Sequence, residues 1–257
     1  MTNRAYAISG MPLALFGTLL IFCNGCYKAG AAFHSDDEVG KWINQYYLKP
    51  EPNRVPAAFI YMGNAGTLDD KDGAVSPMFA FLAGAMSVNP DKAASWIDSM
   101  SGMKEKNLEV VVMGVAFSGL ADSKSLEERL VSKHPTLTSS VTQYFDGNPR
   151  TVLDISTKNG PAVLDGLWAN FMATGSDLPV IKIIEALKWV EAKGDMYLIL
   201  VGGAAKWSLT SNAVQHKRVL EICEQQMKVQ PAEISMQLKI VVEDARRQLA
   251  EKNSAQH

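Results

Sequence analysis

Thiols are almost missing from this chain. Of 257 residues only Cys23, Cys26 and Cys223 are cysteine, which excludes a disulfide framework and denies a structural zinc site its thiolates. Cys223 lies in "VLEICEQQ" beside Glu221 and Glu224. That setting is the opposite of the electropositive one a nucleophilic thiolate needs, so Cys223 is expected in the core. Histidine is nearly as scarce. His34, His134, His216 and His257 pair neither with one another nor with an acid at ligand spacing, and no H-E-x-x-H occurs. No metal and no other cofactor is expected. Cationic runs are missing too. With a formal net charge of -2 and no Lys/Arg-rich stretch, nucleic acid is not an expected partner.

Nucleotide, calcium and nucleophile signatures fail residue by residue. In "LDDKDG", taking Gly73 as the glycine of a calcium loop places Leu68 and Phe79 where the first and last oxygen ligands belong. "VGGAAKW" has paired glycines without G-x-G-x-x-G and without a P-loop lysine. "AFSGLADS" lacks the first glycine of a G-x-S-x-G elbow, and Arg150 in "DGNPR" stands in a loop with no anion motif around it.

What is present begins with the composition: 47% hydrophobic and 20% charged residues, the balance of a globular chain. An apolar run, "MPLALFGTLLIF" from Met11 to Phe22, follows Arg4. Its length suits the h-region of a signal peptide and falls short of a bilayer-spanning helix. In "CNGC" the pair Gly25–Cys26 fits a bacterial lipoprotein box, with Cys26 as the lipid-attachment residue, although Cys23 stands where that box usually has Leu. Ordinary cleavage after "AGA", Ala29 to Ala31, is the alternative. The expected organisation is a signal peptide over residues 1–25, a tether over 26–35 and a single all-α domain over 36–257. Export would place the chain on the periplasmic side of a bacterial envelope, anchored in the membrane through lipid. Removing residues 1–25 takes away Arg4 and no acid, moving the net charge only to -3.

From Asp36 onward the pattern is helical. Ser35 precedes three acids and the helical spacing of Val39, Trp42, Ile43 and Tyr46, with Pro50 as a stop. "EPNRVPAAFIYMGNAG" ends at glycine, and Ser76–Pro77 opens another helix. "NLEVVVMGVAFSG" has the β-branched run of a strand, but its spacing and helical neighbours predict a buried helix. Ser125 and Glu128 have the spacing of a capping box. "GPAVLDGLWANFMATGSDLPVIKIIEALKWVEAKG" reads as two helices joined at "TGSDLP". A faint echo aligns Leu82 with Trp168 and Met86 with Met172. Trp42, Trp96, Trp168, Trp189 and Trp207 fall on apolar helical stripes and are expected as packing anchors. The predicted fold class is all-α, an irregular stack of antiparallel helical hairpins.

The densest polar cluster is "AAKWSLTSNAVQH", with Ser208, Ser211, Asn212, Gln215 and His216 as a possible polar groove. On one helix Ser208 and His216 would stand about 12 Å apart along the axis at 1.5 Å per residue, so they cannot form a catalytic dyad. Helix length predicts a break at "TSN" instead, with Ser211 or Asn212 capping the next helix and His216 in its first turn.

The stretch "AAKWSLTSNAVQHKRVLEIC", with "YYLKPEPNRVPAAFIYM" and "GLWANFMATG", resembles a family of uncharacterised exported bacterial helical proteins over most of the mature chain. The resemblance implies export and an all-helical fold, and it implies no catalytic residue. The expected function is binding to an as yet unknown protein partner, an immunity or inhibitor lipoprotein being one version. The alternative is an envelope enzyme such as a hydrolase, with His216 completed by a residue from another helix.

Overall fold

The computed structural model describes residues 32–69, 76–144 and 148–255. The expected signal segment, Cys26 and most of the "LDDKDG" loop lie outside the described residues. Those that are described form α-helices, short 3-10 turns and no strand, and the valine-rich segment is helical as its spacing requires. The helices are α1 (Asp36–Gln45), α2 (Val55–Ala65), α3 (Met78–Val88), α4 (Ala93–Met100), α5 (Glu105–Ala116) and α6 (Ser123–Lys133). After them come α7 (Thr138–Tyr144), α8 (Pro161–Thr174), α9 (Asp177–Glu185), α10 (Met196–Gln215), α11 (Lys217–Gln226) and α12 (Ala232–Ser254). Among the described residues no helix is long and apolar enough to cross a membrane.

Local chemistry sets many of the boundaries. Ser35 Oγ accepts from the Glu38 amide at 3.1 Å, and Asp36, Asp37 and Glu38 meet the positive end of the α1 dipole. Gly66 closes α2 at φ 79°, and Gly175 closes α8 at φ 65°, left-handed conformations that cost glycine nothing. Ser176 then caps α9 through the Leu178 amide. The Ser125–Glu128 capping box does not form. α6 starts at Ser123 with Asp122 before it and no side-chain cap, so Ser125 already lies inside the helix.

Two helices form the centre. Every residue of α3 from Phe79 to Met86 is buried, and α5 is buried from Val110 to Ala116. Glycines bring the backbones together: a Cβ on Gly114 would stand 2.8 Å from Leu82, and one on Gly84 would stand 2.8 Å from Asn170 Nδ2 and 3.0 Å from Ala173 Cβ. Asn170 Nδ2 also donates to the Ala80 carbonyl at 3.1 Å, and Gly166 faces Ala80. The pairs Ala80–Gly166 and Gly84–Asn170 are both 86 positions apart, so α3 and α8 run parallel and in register. Leu82 and Trp168, and Met86 and Met172, share that offset; the faint echo in the sequence coincides with a packing register. One contiguous apolar cluster, from Phe33 to Ala245, joins all these elements.

Candidate functional site

α10 does not break at "TSN". It runs through Thr210, Ser211 and Asn212 to Gln215 and ends at His216, whose extended backbone (φ -127°, ψ 106°) separates it from α11. The polar side chains are turned back onto their own helix. Ser208 Oγ donates to the Ala205 carbonyl, Thr210 Oγ1 to Lys206, Asn212 Nδ2 to Ser208, and Gln215 Nε2 to Ser211. Hydrogen bonds to carbonyls three and four residues earlier are compatible with a continuing helix, whereas a cap would face forward. Meanwhile Leu209 and Ala213 bury the inner face on either side of "TSN", so a break there would uncover apolar surface.

At the break the imidazole of His216 turns inward and is only 5% exposed. Its Nδ1 lies 3.2 Å from Tyr47 Oη, on the 3-10 turn Tyr46–Leu48 that follows α1. The Phe171 ring of α8 packs edge-on against the imidazole at 6.4 Å and against the Tyr47 ring at 4.8 Å. The α8–α9 turn packs on Tyr47 at Gly175, where the φ of 65° favours glycine. Two residues beyond the break, Arg218 grips Asp177 at the start of α9 through Nε and Nη2, at 3.1 and 2.6 Å. Thus "YYLKPEPNRVP", "GLWANFMATG" and "AAKWSLTSNAVQHKR", far apart in the chain, meet at Tyr47, Phe171 and His216.

Burial holds the His216 pKa below its ordinary value, which favours the neutral ring. The Tyr47 pKa is raised, again by burial. Whichever ring nitrogen carries the proton, His216 Nε2 has no partner among the described protein atoms and is buried. A general base must reach the proton it abstracts. Here the pair is enclosed by packed aromatic rings, and its geometry is that of a junction between α1, α8 and α11.

The polar residues therefore divide. His216 belongs to the core, Ser208, Ser211 and Asn212 lie half-buried on the flank of α10, and Gln215 faces solvent. Of these, Ser211 and Gln215 border a shallow groove of about 190 Å³ with Trp207, Thr210 and Val214 of α10 and Gln248 and Lys252 of α12. Among the described residues no three His, Cys, Asp or Glu side chains come together as metal ligands. Arg150 lies with its guanidinium over the Phe117 ring, 5.2 Å from the centroid. Cys223 is buried, which pushes its thiol up to about 12.

One tryptophan departs from expectation. Trp42, Trp96, Trp168 and Trp189 are buried, but Trp207 is 67% exposed. Helical geometry accounts for this: with Val201, Ala205, Leu209 and Ala213 turned inward, Trp207 falls on the outer face. Tyr47 and Phe171 were not singled out beforehand. No spacing links them to His216, and the only sign was their presence in the stretches that carry the resemblance. No protein-family model, curated protein or solved structure matches the chain.

Proposed function

We propose that the protein binds another protein through the outer face of α10 and α12, held at the bacterial envelope by a lipid on Cys26. The carrying observation is an apolar stripe on a helix whose other side already packs in the core. Met196, Leu200 and Trp207 stand at helical spacing, 71%, 58% and 67% exposed, and Met236 and Ile240 of α12 are exposed beside them. Lys206 Nζ donates to Gln237 Oε1 at 2.9 Å, and Trp207 shares a groove with Gln248 and Lys252, so α10 and α12 lie side by side. Exposed apolar patches of several hundred Å² on folded chains mark interaction sites. In this proposal the helices form stacked hairpins, supported by the tight α8–α9 turn, and the stack presents α10 and α12 outward. An inhibitor or immunity role is one form such binding takes.

The test is crosslinking in the native envelope with the unaltered chain and with Leu200→Glu. A crosslinked species that Leu200→Glu abolishes supports the proposal; adducts indifferent to that change would refute it. Anchoring is tested separately: Cys26→Ser should release the protein from the membrane fraction, and unchanged fractionation would remove the lipid from the proposal.

A further inference from the structure

Resting on that assignment of the α10–α12 face, we infer that its first partner is a second copy of this chain. In this arrangement α10 packs antiparallel against α10 of the partner subunit about a two-fold axis near Gly203.

From Met196 to Trp207 α10 is apolar on both sides. Its 20 residues include one charged side chain, Lys206, and no acid. The inner face buries Val201, Gly202, Ala205, Leu209 and Ala213, while the outer face carries Met196, Leu200 and Trp207. A helix that is hydrophobic all round is ordinarily covered on all sides.

The outer face has a shape that fits itself. Gly203 lies between Leu200 and Trp207, and a Cβ built on it would meet nothing within 4 Å. The stripe therefore runs from a projecting side chain three residues before, over a notch of bare backbone, to a larger projection four residues after. A two-fold axis near the notch sets Leu200 against Trp207 of the partner subunit, and Trp207 against Leu200 of the partner subunit. An isologous contact needs this reciprocity: if one residue meets another across the axis, the converse must hold. A different protein would have to bring its own notch and projection at the same spacing; a second copy has both.

Charge and area permit the pairing. Lys206, the one cation of α10, is drawn toward α12 by Gln237, so no like charges are forced together at the axis. The exposed parts of Met196, Leu200, Trp207, Met236 and Ile240 amount to several hundred Å² per copy. With their polar rim they approach the roughly 800 Å² per partner of a standard stable interface.

The experiment uses the full chain. Sedimentation velocity over a micromolar dilution series should give a dimer mass. Leu200→Glu should halve it while leaving the native far-UV circular-dichroism spectrum unchanged, because Leu200 is exposed on a helix whose other face packs in the core. Gly203→Cys should form an intermolecular disulfide on mild oxidation, above the background of the unsubstituted chain and of a Lys239→Cys control. Leu200→Glu should suppress that crosslink. A monomer mass throughout the series, or Gly203→Cys crosslinking no more than Lys239→Cys, would overturn the inference. The two proposals fail separately. Envelope crosslinks to a different protein that Leu200→Glu abolishes, together with a monomer mass, keep protein binding and reject self-pairing. Self-crosslinks alone, with a dimer mass, establish the pairing and reject a distinct partner on this face.

Discussion

Tyr47 Oη stands 3.2 Å from His216 Nδ1, a hydrogen bond that closes 169 positions of chain. It ties the turn after α1 to the break between α10 and α11, with Phe171 of α8 against both rings.

Tyr47→Phe removes one partner and leaves Nδ1 as bare of hydrogen bonds as Nε2. An unsatisfied buried polar atom costs about 1–3 kcal/mol, so the urea midpoint should fall by a corresponding amount with the m-value unchanged. A loss below about 0.5 kcal/mol would mean that the contact contributes nothing net.

Acid should weaken the fold through His216. Its folded pKa is depressed below the ordinary value of about 6.5 by burial. Below about pH 6.5 the unfolded chain takes up the proton while the folded ring stays neutral, so stability falls with pH until the folded pKa is reached. Above that window the contribution is fully present. Melting curves from pH 8 to 5 on the parent and on His216→Gln should therefore converge as pH drops; parallel curves would contradict the assignment.

Neighbouring glycines of α10 should behave oppositely. A Cβ on Gly202 would stand 2.4 Å from the Val190 amide nitrogen and 2.6 Å from the Trp189 carbonyl carbon, backbone atoms that cannot step aside. Gly202→Ala should cost about 3 kcal/mol or more, whereas Gly203→Ala, whose Cβ meets nothing in its own chain, should gain about 0.5–1 kcal/mol of helix stability at dilutions that keep the chain monomeric. Thermal melts of the two variants decide it, and equal effects would show α10 to be seated differently.

Cys223 should be inert in the folded protein. Burial raises its thiol to about 12, so a disulfide-exchange reagent should find it only after denaturant is added. Labelling of Cys223 at the free-thiol rate in native buffer would contradict this.

Helices and many of their ends were legible because their causes are local. Ser35, Gly66, Gly175 and Ser176 act on the residues next to them, and the helix ends fall at Ser35, Gly66 and "TGSDLP" as expected. The end of α10 was not legible. Capping chemistry at "TSN" competes with burial of Leu209 and Ala213 and with an aromatic pocket for His216 made by Tyr47 and Phe171, and those rings lie far off in the chain. The Ser125–Glu128 box failed for a related reason: two residues at matching spacing do not outweigh a helix that has already begun. Trp207 was misjudged because an apolar stripe reveals its period but not which neighbour covers it. The five polar residues do not share one surface: Ser211 and Gln215 border a shallow groove, while His216 faces the core.

The parallel register of α3 and α8 sets a condition on how the chain acquires its fold. The face of α3 that carries Ala80 and Gly84 meets its cover only after α8 has been made, roughly 80 residues later, so these central contacts are long-range ones. Such closures are slow relative to the formation of a local hairpin. During synthesis that face of α3 must therefore wait uncovered, and aggregation or chaperone capture has its opportunity in that interval.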